Sequence, residues 1–350
     1  MNRPAQGAGG AGGARLARQA RLQLDDYPAD AAWSADGRAL LIAGGQGQLL
    51  LVDLSAAAPV VQPLGSHAGG VLAVAAQPAG KLFASAGQDG KVLLWDLKSR
   101  SSQCLLEDPQ WSEQLAFAAH GRLLAVATGK ALRVFDHSGA LRAQLPPHTG
   151  VIAALAWRPR NHELAALGNG GAHLHKLEPQ VQSRVYAWTG ACLTASWSPD
   201  GRVLASGMQD GAVHFWNITA DTQSQMKGYG TKVALTSWSA NSRYLATAAD
   251  QQVVIWDFAG RGPEGTEPLQ LSAHTARLTQ LAFQPQGNLL ASGARDRRLM
   301  LWRPSQGAEP RDADLLGDEV TLLRWSNDGQ KLAVADRSGG LCVYALSAAS

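Results

Sequence analysis

Short apolar runs, alternating with polar residues and interrupted by Gly, Asp, Asn or Pro, recur along the whole chain. Residues 193–227 are typical. Leu193–Trp197, Val203–Ser206 and Val213–Trp216 each alternate and end at a turn, and a looser run spans Thr222–Lys227. A period of two bounded by turn residues predicts short antiparallel strands with tight connections. Helical periodicity is absent apart from a brief start at Ala14–Ala20. That start is set aside, because Ala20, Leu22 and Leu24 alternate with polar neighbours as an outer strand should.

The runs themselves repeat. Val52, Trp95, Phe135, His175, Trp216, Trp256, Trp302 and Tyr344 each end a third strand and are spaced by 43, 40, 40, 41, 40, 46 and 42 residues. In a second column, Trp33, Trp157, Trp197, Trp238, Phe283 and Trp325 stand four residues before a turn such as WSPDG, with Ala76 and Phe117 filling the two remaining places. A fixed period of this size means stacked units of a few strands each. Eight such units are counted here as blades 1 to 8.

Three of the units are nearly copies: FASAGQDGKVLLW at 83–95, LASGMQDGAVHFW at 204–216 and LASGARDRRLMLW at 290–302. With His67 and His274 upstream, they offer Ser, His and Asp, the residue types of a hydrolase triad. A catalytic reading would join His67, Ser85 and Asp89. An active site needs one nucleophile in one cleft, whereas His274, Ser292, Asp296 and Trp302 repeat the set of His67, Ser85, Asp89 and Trp95. The expectation is therefore a buried hydrogen-bond relay, repeated in most part by Ser206, Asp210 and Trp216. Blade 4 has Ala166, Gly170 and His175 at the Ser, Asp and Trp positions, and blade 3 has Val126 and Phe135 for Ser and Trp, so both should hold by apolar packing.

The Trp-Asp pairs at 95–96 and 256–257, the SPDG and SNDG turns at 198–201 and 326–329, and the His-Ser-Asp-Trp sets make the chain similar to the WD-repeat β-propeller family. The resemblance covers residues 18–346. It implies an all-β, eight-bladed β-propeller of four-stranded antiparallel blades, with seven blades as the alternative. The last unit stops after its third strand, so RQARLQL at 18–24 is expected to supply its missing outer strand and close the ring. Residues 1–17 then read as a flexible Gly/Ala/Arg-rich tail, and 347–350 as a second tail.

Composition narrows the function. The net charge of +3 is too small to imply nucleic acid or an anionic membrane as obligate partner. Cys104, Cys192 and Cys342 are odd in number and lack CxxC pairing, which disfavours a disulfide framework or zinc ribbon and suits a reducing cytoplasm. No apolar run reaches the length of a membrane span, and the arginines of residues 1–24 resemble a transit peptide only weakly. GNGG at 168–171 has no following helix and no Lys-Ser/Thr, so it is a turn rather than a phosphate loop.

Of the 11 Trp residues, Trp111 and Trp188 fall outside both columns. Aligned by turns, Trp188 stands where His67 and His148 stand, Trp111 lies three residues further along the same connection, and Tyr229 takes the His place in blade 6. All three fall on the face where one blade hands over to the next, here the top face. They either plug the His pocket or meet a partner. On the same face the resemblance implies contact roles for Gln88, Gln209 and Arg295, while Arg295, Arg297, Arg298 and Arg337 form a basic arc. His173, His175 and His214 suggest a metal site, but His173 and His214 occupy equivalent positions in neighbouring sheets about 10 Å apart and should not converge. No metal and no cofactor are expected. The resulting expectation is a non-catalytic scaffold that binds a protein or peptide on the top face. A ligand-binding or enzymatic propeller using the central channel, and a nucleic-acid module using the arc, are the alternatives.

Overall fold

The computed structural model describes residues 14–56, 58–177 and 180–348. Eight antiparallel sheets follow one another along the chain, one for each repeat unit. Blade 1 orders Pro28–Trp33, Ala39–Gly44, Gln48–Asp53 and Val60–Ser66 from channel to rim. The second strands are buried on both faces, as in Ala39–Gly44 and Leu123–Thr128, because each lies between two neighbouring sheets. Their small side chains let those sheets approach, which is why ASAG, ASG and AVAT recur there. Outer strands such as Ser101–Glu107 are mostly exposed, and their apolar alternation is correspondingly loose.

Two blades depart from the pattern. In blade 4 the second and third strand positions form one run, Glu163–Lys176, which turns back at Gly170 and Gly171 with φ of 101° and 109°. Only glycine adopts such values without strain. In blade 5 the inner strand expected over Leu193–Trp197 shrinks to Ser196–Trp197, preceded by a single bridge between Cys192 and Met208.

Indoles join the blades at the channel. Trp33, Trp157, Trp197, Trp238 and Trp325 each donate Nε1–H to a carbonyl of the preceding inner strand: Arg324, Ala116, Ala156, Ser196 and Ala282, at 2.9–3.1 Å. In every case the acceptor immediately precedes the corresponding residue of the previous blade. Where blade 7 has Phe283 instead, its backbone N–H donates to Ser237 Oγ at 2.9 Å.

The ring closes through Ala14–Gln23, which pairs antiparallel with Gly340–Ala348 as the outer strand of blade 8, with a bulge between Arg18 and Ala20. Pairing starts at Ala14 rather than Arg18 because the last strand runs on to Ala348 and offers its edge. Residues 1–13 of the expected tail lie outside the described residues, as do 349 and 350. The closing strand also reaches blade 7. Arg18 pairs with Asp314, Leu16 N–H donates to Asp312 at 2.7 Å, and Tyr344 donates its hydroxyl to Asp314 at 2.7 Å.

The His-Ser-Asp-Trp sets form two relays of the same geometry. His67 Nδ1 lies 2.9 Å from Asp89, His67 Nε2 lies 2.8 Å from Ser85 Oγ, and Trp95 Nε1 donates to that oxygen at 2.8 Å. In blade 7, His274 lies 3.0 Å from Asp296 and 2.8 Å from Ser292, which accepts from Trp302 at 2.8 Å. Because each Asp only accepts, Nδ1–H donates to it and Nε2 accepts from the serine. Burial raises the Asp89 carboxyl, but hydrogen bonds from His67, Lys91 N–H and Ala68 N–H outweigh it and hold the group below its usual range. Asp296 is lowered likewise, with Thr275 and Arg298 N–H opposing burial. In blade 3, Ser112 and Thr128 share a buried hydrogen bond at 2.6 Å beside buried Val126 and Phe135.

Removing residues 1–24 should lower the melting temperature well beyond removal of 1–13, since burial of Leu24 alone is worth about 2–5 kcal/mol. Equal melting temperatures would show that this strand does not close the ring. His67→Ala and His274→Ala should each cost about 1–3 kcal/mol in urea unfolding by leaving buried partners unpaired. The relay carboxylates have folded-state pKa values below the unfolded value of 3.8, so the stability they contribute is complete at neutral pH and is lost as pH falls through their folded values. Stability below about pH 4 should therefore fall more steeply in the parent than in an Asp89→Asn, Asp296→Asn double variant.

Candidate functional site

The top-face residues singled out in the sequence do not gather into one patch. They lie around the rim on blades 2, 3, 5, 6, 7 and 8 or on the connections between them, and several are turned inward. Tyr229 is one correction to its reading as a contact residue. Its hydroxyl lies 2.6 Å from Thr247 Oγ1 and accepts from Trp256 Nε1 at 2.7 Å, so Tyr and Thr rebuild the relay of blade 6 in place of His and Ser. Burial raises the Tyr229 hydroxyl, and the two hydrogen bonds oppose it.

Trp188 is half-buried and packs at a tilt against His214 with ring centroids 4.0 Å apart; the His214 ring in turn lies 4.5 Å from that of Trp216. This aromatic cluster overturns the expected partial relay of blade 5. With Trp188 at the His position, Ser206 Oγ donates to the Gly207 carbonyl at 3.1 Å and Asp210 remains exposed. Trp216 Nε1 and His214 Nδ1 are buried without a hydrogen-bond partner. Such orphans cost about 1–3 kcal/mol each, which the packing of three aromatic rings offsets.

The basic arc is partly neutralised. Half-buried Glu319 holds Arg337 at 2.8 Å and Arg295 at 3.5 Å. Arg297 occupies the turn at φ 66° and Arg298 is exposed. Gln88 is exposed, yet its carbonyl oxygen accepts from Gly70 N–H at 3.0 Å, and Gln209 is exposed on blade 5.

Trp111 is different, being 49% exposed and borne on the connection into blade 3. It lines an open groove of about 650 Å³ with Pro109, Glu113, Lys130, Pro147 and Val151. The floor is the Gly129–Lys130 turn of blade 3. The walls are the connection carrying Trp111 and the next connection, where Val151 is 55% exposed. Val151 escapes sequence reasoning because an apolar residue beside a strand start ordinarily reads as core, and the prolines because they read as turn residues.

A second cluster lies beyond Pro147. His148, His173 and His175 bring one ring nitrogen each to within 4.8 Å of one another. His148 and His175 are buried, and their Nε2 atoms are 3.3 Å apart. Burial, reinforced by the neighbouring imidazoles, pushes both down to about 4, and burial lowers His173 as well. His214 stays with Trp188 and takes no part. The three-histidine grouping was missed in the sequence, where His173 was compared with His214. The signal was present, since the turn alignment places His148 at the relay His and the third-strand column places His175 at the relay Trp. On the opposite face, His120 and His162 approach to 3.0 Å beside Arg122 and Arg160.

Comparison with known proteins fits this architecture. The family model of the WD domain, G-beta repeat, matches residues 59–96, 180–217, 222–257 and 265–303. The small ribosomal subunit protein RACK1 of Schizosaccharomyces pombe is 30% identical over 42% of this chain and 37% of its own length. The intraflagellar transport protein 80 homolog of Rattus norvegicus is 31% identical over 45% of this chain and 20% of its own. This chain thus matches well under half the length of either relative. The crystal structure of the computationally designed Ika8 protein superposes with a TM-score of 0.75 at 19% identity, covering 92% of this chain and 97% of that one, and so supports the fold alone. Four matched WD repeats thus lie within a closed ring of eight antiparallel sheets, and the chain is similar to the WD-repeat β-propeller family in both repeat sequence and architecture.

Proposed function

We propose that this protein is a non-catalytic scaffold that docks an extended peptide segment of a partner protein in the top-face groove at Trp111. The observation carrying this reading is the exposure of Trp111 and Val151 on facing walls of one groove. A large aromatic ring gives wide contact area for little loss of side-chain freedom, and hot spots favour Trp. The apolar lining suits an apolar anchor side chain, and Lys130 and Glu113 suit charged neighbours on either side of it. Gln88, on neighbouring blade 2, would then be the nearest additional contact, while Gln209, Trp188 and the exposed arginines, on other blades, would belong to a wider partner surface on the top face. The names of two relatives place them in larger apparatus, the small ribosomal subunit and intraflagellar transport, which agrees with a scaffold role.

The relays support a non-catalytic reading. Asp89, His67 and Ser85 have the spacing of a triad, but Ser85 is 0% exposed and its oxygen already accepts from Trp95. A nucleophile has to reach its substrate, and this one is sealed between sheets. Cys104, Cys192 and Cys342 are free thiols, which suits a reducing cytoplasm. Among the described residues no helix is long and apolar enough to cross a membrane.

Peptides selected from a displayed random library on the parent protein provide the probe. Trp111→Ala and Val151→Asp should weaken their binding in calorimetry, at least one of them by more than about 1 kcal/mol, with melting temperatures little changed. Arg202→Ala, on the opposite face beside the SPDG turn, should leave affinity intact. If Arg202→Ala weakens binding while both groove variants bind as the parent does, the partner uses the other end of the propeller.

A further inference from the structure

We propose that His148, His173 and His175 form a binding site for a divalent late-transition-metal ion, zinc foremost, on the top side of blade 4. Zinc takes imidazole nitrogens at about 2.0–2.1 Å in tetrahedral geometry, which sets neighbouring donors about 3.3–3.4 Å apart. The Nε2 atoms of His148 and His175 already stand 3.3 Å apart. The third donor lies within 4.8 Å of both. His173 is half-buried, so its ring has room for the modest rotation that completes the spacing.

The surrounding chain prepares the ligands. His173 and His175 project from one strand two residues apart and therefore share a face. His148 is delivered by the preceding connection, whose backbone is tied down where His148 N–H donates to the Lys130 carbonyl at 2.9 Å. His175 Nδ1 lies 2.8 Å from Ser183 Oγ. When that nitrogen carries the proton and donates to the serine, the Nε2 lone pair faces the other two rings, as is usual for a metal-bound histidine and its supporting partner.

The site also answers a structural need. In blades 2 and 7 the His at the position of His148 is satisfied by Ser and Asp, but blade 4 has Ala166 and Gly170 there. Its imidazole faces two others instead. A bound ion satisfies the three nitrogens together and cross-links the incoming connection to the third strand, the link that the relay makes elsewhere. Soft or borderline metals suit three imidazoles, and carboxylate-seeking Mg²⁺ or Ca²⁺ does not. A direct N–H···N hydrogen bond between His148 and His175 is the competing arrangement, and it leaves His173 without a role.

The test is equilibrium dialysis of the tag-free full chain against Zn²⁺, followed by elemental analysis and thermal melts. The parent should retain one Zn²⁺ per chain, and its melting temperature should rise with Zn²⁺ concentration. His173→Gln should weaken binding by more than about tenfold, and Ser183→Ala by about tenfold or more through loss of ligand orientation. Both residues lie at or near the surface, so these variants test the site even where His148→Asn or His175→Asn fails to fold. Co²⁺ in place of Zn²⁺ should give the intense visible absorption of a tetrahedral site in the parent and lose it in His173→Gln. A folded parent that retains no Zn²⁺ overturns the proposal. So does Zn²⁺ binding that survives His173→Gln undiminished but disappears in a His120→Ala, His162→Ala double variant, which would place the ion on the opposite face.

Discussion

Closure of the ring is the constraint on which everything else in this molecule rests. The second strands of the sheets are buried on both faces, so an unclosed array would expose the apolar flank of its first and last blades. The two ends of the chain meet within a single sheet, Ala14–Gln23 against Gly340–Ala348. Arg18 and Leu16 carry the link on to Asp314 and Asp312 of blade 7. At the channel the same junction is made by Trp33, which donates to the Arg324 carbonyl, and by Arg324, which pairs with Asp30 at 2.8 Å. The first and last blades are thus joined at rim and channel at once, and the edge of the last strand, Gly340–Ala348, is covered.

Within the closed ring, each blade has to satisfy the polar groups at the top of its second and third strands, and it does so with the residues available. Blades 2 and 7 use His, Ser, Asp and Trp. Blade 6 reaches the same result with Tyr229, Thr247 and Trp256. Blade 3 needs only a Ser112–Thr128 pair, because Phe135 brings no donor. Blade 5 does not complete its network and leaves the Trp216 indole unpaired under an aromatic cluster. These solutions are interchangeable because the task is satisfaction of buried donors and acceptors rather than any one chemistry. Among the described residues, blade 4, where three imidazoles converge, is the place where the substitute network has ligand chemistry of its own.

The top face inherits its variety from that same tolerance. Connections between blades carry no obligation to pack once the relay or its substitute is in place, so their side chains are free to differ. The groove at Trp111 lies at blade 3, which lacks the His-Ser-Asp-Trp set, and is lined by the Gly129–Lys130 turn together with residues of the two flanking connections. A basic arc that looks continuous in the sequence is interrupted by Glu319, whose carboxylate holds one arginine on each side.

The architecture was readable from the order of residues, because repeat spacing and period-two alternation are local properties, and eight copies constrain one another. The columns of Trp33 and Trp95, the relays at His67 and His274, and the N-terminal closing strand were all legible for that reason. The functional surface was not. Whether Tyr229 faces a partner or its own Trp256 depends on where Thr247, in the next strand of the blade, comes to rest. The meeting of His148 with His175 depends on a turn at Gly170–Gly171 that folds one strand back beside another. Convergence of side chains from separate segments is set by sheet geometry and packing, which no single stretch of chain contains. Which aromatic stayed exposed, which arginines were paired and which histidines met were therefore fixed only when the blades packed around the ring.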